Sequence, residues 1–105
     1  MANTAKKLFR GAATTTTTTV LYTVPASTST VVTNIVIVNT AATSATFTLG
    51  MGTAVSNTAL QTTSAIAANS TIYIDLKQTL ATTETITGGA SAITCSFHIS
   101  GMEVT

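Results

Sequence analysis

Charged side chains are scarce in this chain, with four Lys or Arg and three Asp or Glu among 105 residues. That is 7% of the chain, where soluble proteins average about 25%. A disordered chain would be more charged and poorer in hydrophobic residues, which here make up 45%, so we interpret the chain as folded. So little charge gives little repulsion between copies. The composition therefore favours a protein whose surface is buried against other subunits, in an oligomer or a larger assembly. The alternative is that Thr and Ser hydroxyls alone keep the surface hydrated.

Cysteine and histidine each occur once. Cys95 can form no internal disulfide, which excludes a disulfide-stapled secreted scaffold. A zinc site needs three or four ligands, and Cys95 and His98 fall on opposite faces of a stretch that alternates like a strand. Gly88-Gly89 is followed by neither a lysine nor a helix start, so it does not read as a phosphate-binding loop. We predict no catalytic residues, no metal and no cofactor, and a protein that is not an enzyme.

Long apolar runs are also missing. No stretch approaches the roughly 20 apolar residues of a membrane span, and the start MANTAKKLFRGAA lacks the apolar run of a secretory signal. Three cations near the start are too few for a nucleic-acid footprint. We therefore expect synthesis in a cytoplasm, and neither a membrane nor a nucleic acid as partner.

What the sequence does contain is the pattern of β-strands, rich in β-branched residues and punctuated by turn signals. Strands are predicted at 20–24, 30–40, 45–52 and 70–76, and a hairpin over 84–100 that turns at Gly88-Gly89. Strands at this spacing indicate an all-β fold. We predict a single antiparallel β-sandwich over residues 14–105, jelly-roll-like with about eight strands, preceded by a short extended N-terminal arm.

The run of six threonines at 14–19 is predicted to be extended chain at a sheet edge. Threonine is β-branched and stiff about χ1, which favours extended backbone, whereas flexible spacers are built from Gly and Ser.

The predicted arm, residues 1–13, carries most of the positive charge of the chain. Its candidate binding residues are the consecutive set Lys6, Lys7, Leu8, Phe9 and Arg10. Phe9 stands beside cations and outside any periodic element, so it is a candidate for burial in another chain. The arm is either a solvated terminus or a segment that docks on an acidic patch of a partner.

Four residues are candidates for a subunit interface. The centre of the 30–40 strand, residues 35–38, is apolar on both faces, which is typical of a strand covered on both sides. One cover is the opposite sheet, and the second could be a neighbouring subunit. We therefore name Ile35 and Ile37, with Tyr22 and Tyr73, as the interface candidates.

Residues 20–49, VLYTVPASTSTVVTNIVIVNTAATSATFTL, resemble the opening of small tailed-bacteriophage β-sandwich virion proteins. Residues 67–91 and the closing HISGMEVT resemble the second half of the same family. The resemblance spans residues 18–105, although Ser27 stands where the family usually has Gly.

The resemblance implies a capsid decoration, or cement, protein located in the virion. Such proteins commonly form homotrimers on the major capsid protein and bridge neighbouring capsomers. Similar sandwiches also occur in tail, collar and fibre proteins. Outside this family, the abundant threonine leaves open a binding module for ice or glycans, although no short repeat aligns the threonines and there is no Trp.

Overall fold

The computed structural model describes residues 3–16, 18–52 and 58–105, the side chains of residues 58–62 excepted. Every regular element in these ranges is a β-strand. The strands are β1 (Asn3–Ala12), β2 (Val20–Thr23), β3 (Ser29–Asn39), β4 (Ala45–Gly52), β5 (Thr58–Ile66), β6 (Ser70–Leu80), β7 (Thr85–Ala90) and β8 (Cys95–Val104). The prediction of an all-β chain with about eight strands is confirmed.

The strands form two antiparallel four-stranded sheets that pack face to face. Sheet A has the order β1-β8-β3-β6, and sheet B has the order β2-β7-β4-β5. Apart from the β4–β5 hairpin, consecutive strands lie in different sheets, so the chain crosses the sandwich repeatedly. This connectivity is that of the eight-stranded jelly roll, as predicted.

The core lies between the sheets and follows from strict alternation along the strands. In β3 the side chains of Ile35 and Ile37 point inward, and in β8 those of Phe97 and Ile99 do so. Phe47 of sheet B meets Phe97 of sheet A edge to face, with ring centroids 6.4 Å apart and an interplanar angle of 68°. This geometry is favoured between aromatic rings, and it ties the two sheets together.

The segment interpreted as an arm is extended, as predicted, but it belongs to the sandwich. Residues 3–12 form β1, which pairs with β8 from Asn3 opposite Val104 to Ala12 opposite Ser96. Leu8 lies at a β-bulge and points into the core, where it is 7% exposed. The boundary drawn between residues 13 and 14 therefore separates an edge strand from the strands it pairs with.

The hairpin predicted at Gly88-Gly89 is wrong. Both glycines lie inside β7, and the chain crosses from sheet B to sheet A only after Ala90. They are needed for close packing: a Cβ on Gly88 would lie 2.7 Å from Leu49 Cδ2, and one on Gly89 would lie 2.5 Å from the carbonyl oxygen of Thr16.

The threonine run borders β7 but is not continuous extended chain. The carbonyls of Thr14 and Thr19 accept hydrogen bonds from the amides of Ala90 and Gly88, so the two ends of the run lie at the edge of sheet B. The hydroxyl oxygens of Thr14 and Thr19 lie 2.7 Å apart and hydrogen-bond to each other. Both hydroxyl oxygens also lie within hydrogen-bond distance of the carbonyl oxygen of Thr16, at 3.1 and 2.8 Å, and the Thr19 amide donates to the same carbonyl. These local side-chain bonds compete with strand pairing.

Candidate interaction surface

The outer face of sheet A, formed by the side chains that point away from sheet B, is the best-defined surface of the molecule. Two rows of side chains cross it, each with one residue from β1, β8, β3 and β6 in turn. The first row is Lys7, Ser100, Asn34 and Asp75. The second row, two residues further along β8, is Arg10, His98, Val36 and Tyr73.

Charge is confined to the two edges of this face. Lys7 and Arg10 lie on edge strand β1, and Asp75 and Lys77 lie on edge strand β6, about 14 Å away across three strand spacings. The central strands β8 and β3 present Ser100 and Asn34 in the first row and His98 and Val36 in the second. The outer face therefore has a positive edge, an apolar to polar centre and a far edge where one anion and one cation lie two residues apart.

Sheet B has a different character. The strands β2, β4, β5 and β7 contain no charged residue in their sequences, and all charged residues of the chain except Glu84 lie on strands of sheet A. An uncharged edge strand is normally open to unwanted pairing, and cations on an edge strand oppose it. The β1 cations thus protect one edge of sheet A as well as marking its outer face.

A shallow depression of about 450 Å³ lies beside the positive edge. Lys6, Lys7 and Arg10 line it together with Thr33 and Ser100, and the Thr33 hydroxyl donates to the Ser100 carbonyl at 3.3 Å. Ammonium, guanidinium and hydroxyl groups can all donate hydrogen bonds to a carboxylate. The depression is therefore suited to an acidic side chain of a partner.

The five candidate residues of the predicted arm fall into two groups in the structure, some exposed on the outer face and others in contacts within their own chain. Lys7 and Arg10 are exposed on the outer face. Leu8 and Phe9 pack against the core of their own chain, which corrects the expectation that Phe9 is an anchor in another chain. Lys6 is paired within the chain: its Nζ lies 3.2 Å from Glu103 Oε2 in the one ion pair found among the described residues.

Of the four interface candidates, three are buried within the chain and one is exposed. Ile35 and Ile37 are 0% exposed within the single chain, so they face the opposite sheet and not a neighbouring subunit, which corrects that expectation. Tyr22 is buried too, with its hydroxyl bonded to Thr30 at 2.9 Å and to Glu103. Tyr73 is 72% exposed and lies on the outer face.

Three central residues of the outer face were not named from the sequence. Val36 and Val38 alternate with the two buried isoleucines and are half-buried on the outer side. His98 lies next to Val36 on the neighbouring strand. The apolar run at 35–38 was the available signal, but a run that is apolar on both faces does not reveal which face points inward.

A polar cluster closes one end of the sandwich and links the sheets. Tyr22 of β2 reaches across to donate a hydrogen bond to Glu103 of β8, whose carboxylate also accepts from Lys6 of β1. Burial raises the pKa of the Tyr22 hydroxyl to about 12, and the bond to Glu103 adds to the rise. The bond from Tyr22 lowers the pKa of Glu103 below its usual value of 4.5, and Lys6 adds to the lowering.

This cluster predicts a loss of stability at both extremes of pH. The lowered pKa of Glu103 stabilises the fold above pH 4.5, and that contribution is lost as the pH falls through the folded-state pKa. The raised pKa of Tyr22 stabilises the fold below pH 10.0, and that contribution is lost as the pH rises through about 12. Replacing Tyr22 by Phe is expected to lower the free energy of unfolding by about 2 kcal/mol near neutral pH. It should also reduce the loss of stability at both acidic and alkaline pH.

Urea unfolding midpoints measured across the pH range test this expectation. Tyr73→Phe is the matched control, because that tyrosine is 72% exposed and its hydroxyl has no described partner in the core. Burial also raises the pKa of the Cys95 thiol, so part of the alkaline decline persists in both variants. Equal pH profiles for the Tyr22→Phe and Tyr73→Phe proteins would contradict the assigned role of Tyr22.

Catalytic and metal-binding groups do not cluster on this surface. Within residues 3–16, 18–52 and 58–105, no group of three or more His, Cys, Asp or Glu side chains is placed to hold a metal ion. His98 lies on the outer face and Cys95 is buried in the core, so the structure does not bring them together. The same ranges contain no helix long and apolar enough to cross a membrane.

Comparison with known proteins identifies the fold at the level of its class. The sequence matches no protein-family model, and no curated protein is significantly similar to it. Solved structures do match, and they share the fold of the two-sheet sandwich described above.

Two of the similar chains come from infectious bursal disease virus. A chain of the T13 particle of infectious bursal disease virus superposes with a TM-score of 0.57 at 9% identity, over 97% of this chain and 29% of that one. A chain of the Gx strain of the same virus gives 0.55 at 14% identity, over 97% and 32%. A pentameric capsid protein from metagenomic phage sequences gives 0.42 at 11% identity, over 96% and 58%, too distant to support an argument. This chain thus spans about a third of the length of the infectious bursal disease virus chains.

Proposed function

We propose that this protein is a structural component of a bacteriophage particle, a decoration or cement protein that binds the outside of the capsid. The observation that carries the proposal is the outer face of sheet A, which is uncharged at its centre and charged at its rim. Interfaces between proteins have this distribution, with charge depleted at the core of the contact and polar groups around it. The capsid-type fold and the resemblance of residues 18–105 support the same conclusion.

The role proposed is adhesive and mechanical. Each copy would contact the major capsid protein and other copies, so that neighbouring capsomers resist separation. The sandwich suits this task because its core is complete within one chain and its rigidity does not depend on the partner. The proposal assigns no reaction and no cofactor to the chain, and it places the protein in the virion after synthesis in the host cytoplasm.

The threonine-rich alternative, an ice- or glycan-binding module, gains no support from the geometry of the longest threonine run. An ice-binding surface requires hydroxyls in flat, regular rows. The hydroxyls of Thr14 and Thr19 instead bond to each other and to the carbonyl of Thr16 within one loop. The other virion locations, tail, collar and fibre, share the predicted adhesive role and differ in where the protein would be found.

Purified particles of the virus that encodes the chain test the proposal. We expect mass spectrometry to detect the protein in gradient-purified particles, and gold-labelled antibodies to mark the head surface. Particles stripped of the protein should inactivate at a lower temperature, and adding back the purified chain should restore the original value. An unrelated jelly-roll protein added in equal amount is the control.

Two results would contradict the proposal. Absence of the chain from infectious particles would exclude any virion role. Labelling confined to the tail or fibres would retain a virion role and replace the decoration assignment by one of the alternatives.

A further inference from the structure

We propose that β6, the edge strand of sheet A on the side away from β1, pairs antiparallel with β6 of a second copy, so that two four-stranded sheets become one eight-stranded sheet. In the described part of the chain, no strand pairs with the outer edge of β6. An edge strand presents unpaired backbone N–H and C=O groups that a further strand can complete. The inference deepens the proposed function, and the role of the pairing in a virion rests on that function.

The charges of β6 are self-complementary. Asp75 and Lys77 are both exposed on the outer side of the strand, and the half-buried Leu76 lies between them. A two-fold axis at Leu76 places Asp75 opposite Lys77 of the second copy, and by symmetry Lys77 opposite the second Asp75. Opposite charges directly across a strand pair stabilise it. A depression of about 490 Å³, lined by Thr33, Asp75, Leu76 and Lys77, leaves room for the incoming lysine side chain.

Neighbouring positions of β6 fit the same register. On the outer side, Tyr73 lies opposite Thr79 of the second copy, and an aromatic ring next to a β-branched residue is a stabilising cross-strand pair. On the inner side, Leu76 meets its own copy on the axis. Ile72, Ile74 and Leu76 are only half-buried in the single chain, although they pack against its core. A second copy at this edge covers that apolar stripe.

An irregularity in β6 favours this partner and this register. Leu76 and Lys77 together lie opposite the single residue Thr33 of β3. Such a bulge bends its strand and makes the edge a poor match for a regular strand. With the axis at Leu76, the bulges of the two copies lie at the same level, so the two strands bend together. Any other register sets the bend of one strand against regular backbone of the other.

The other edge strands lack this complementarity. Strand β1 carries Lys6, Lys7 and Arg10 and no acidic residue, so two copies of β1 would oppose like charges. Strand β2 has only four residues, and β5 carries no charge that would set a register. Of the four edge strands in the two sheets, β6 alone carries charges of both signs.

The pairing leaves the outer face of sheet A free to bind the capsid. The two-fold axis of an antiparallel strand pair is perpendicular to the sheet, so the outer faces of both copies point in the same direction. Seven strand spacings separate the two β1 strands, a distance of about 34 Å. One dimer therefore presents two capsid-binding faces side by side, and it can link two neighbouring capsomers.

The contact is small for a protein interface. Strand β6 has 11 residues, whereas a standard interface uses about 20–30 residues on each side. We therefore expect a Kd in the micromolar range for the free protein. Association should be tighter on a particle, where binding of both copies to the capsid raises their effective concentration. The pairing predicts a dimer, whereas the family resemblance implies a trimer.

Charge exchange with rescue tests the pairing on the full-length chain. We expect analytical ultracentrifugation over a concentration series to show a reversible monomer–dimer equilibrium of the 10.6 kDa chain. Asp75→Lys and Lys77→Asp should each weaken the dimer about tenfold, because each opposes like charges at two symmetric places. The double variant should restore the dimer. Lys7→Asp is the matched control: it changes the net charge as Lys77→Asp does, but on β1, so it should leave the dimer unchanged. Circular dichroism checks that each variant is folded.

A cross-link tests the register independently. The Cα atoms of residues opposite each other in an antiparallel pair lie about 4.5–5.5 Å apart, within the range that a disulfide spans. Leu76→Cys should therefore form a disulfide-linked dimer under mild oxidation, because position 76 lies on the axis. Tyr73→Cys is the control, since the two copies of position 73 would lie about 20 Å apart along the ladder. The native Cys95 is buried in the core.

Each other outcome contradicts the pairing. An unaltered protein that is monomeric or trimeric at the highest soluble concentration excludes it, and a trimer would agree with the family resemblance. A dimer that is insensitive to the charge exchange uses another surface, and equal cross-linking at positions 73 and 76 excludes the register. None of these results bears on whether the chain is found on particles, so failure of the pairing and failure of the proposed function remain distinguishable.

Discussion

Replacing Gly101 by alanine is expected to lower the free energy of unfolding by about 3 kcal/mol, at the upper end of typical overpacking costs. A Cβ at this position would lie 2.3 Å from the carbonyl oxygen of Val31 and 3.0 Å from Leu8 Cδ1. The first of these contacts is with backbone of the neighbouring central strand, which cannot rotate away. Strands β3 and β8 would have to separate locally, and hydrogen bonds of the ladder between them would be lost.

Urea unfolding of the Gly101→Ala protein measures this loss, and Gly11→Ala is the control. A Cβ on Gly11 of the edge strand β1 would lie 3.5 Å from the Phe9 ring, an ordinary contact. There the substitution should change stability by less than about 1 kcal/mol, in either direction, because alanine reduces the entropy of the unfolded chain. Equal effects of the two substitutions would show that the close approach of β3 and β8 at Gly101 is not as described.

Truncating Phe97 to alanine is expected to cost about 4 kcal/mol, a large part of the roughly 5–15 kcal/mol that stabilises a typical domain. The side chain is 0% exposed and meets Phe47 edge to face across the two sheets. Its removal takes away apolar burial and leaves a cavity in a core only two sheets thick. We therefore expect a much lower thermal midpoint and a steep drop in the urea midpoint.

Two further variants make this result specific. Phe97→Leu retains part of the volume and should cost clearly less than Phe97→Ala. Ile93→Ala removes a side chain that is 69% exposed, so it should change stability by less than about 0.5 kcal/mol. If truncation at 97 were as mild as truncation at 93, the core would not be organised around the Phe47–Phe97 pair.

The fold class could be predicted because alternation in the main strands is nearly unbroken. Phe47, Leu49 and Met51 share one face of β4, as the sequence pattern indicated, and all three are buried. In β6 the pattern likewise placed Tyr73 and Asp75 on the outside. A period of two reports which residues share a face of a strand, and it does so without information from the rest of the molecule.

Features that depend on distant packing were not predictable. The pair Gly88-Gly89 has the local signature of a turn, yet these glycines are required because Leu49 and the loop at Thr16 press against β7. Strand β5 lies where the sequence is weakly patterned, over part of residues 53–64, and its existence follows from pairing with β4. Local sequence does not encode either contact.

The candidate surface was predictable only in part, for a related reason. Lys7, Arg10 and Tyr73 could be named because charge and aromaticity are visible in the sequence. Their convergence on one face depends on β1 pairing with β8, a contact between the two ends of the chain. The choice of Ile35 and Ile37 over Val36 and Val38 failed because alternation defines two faces without telling which one is buried.

The pairing of β1 with β8 has a consequence for how the molecule is made. Asn3 lies opposite Val104, so sheet A cannot be completed until residue 104 has emerged from the ribosome. Contacts that join such distant positions are slow to form, because the intervening chain must be ordered first. During synthesis the apolar inner side of β3 stays exposed until β8, its neighbour in the finished sheet, has been made. Folding therefore competes with association of nascent chains. The cations of β1 are synthesised first, and their mutual repulsion opposes that association.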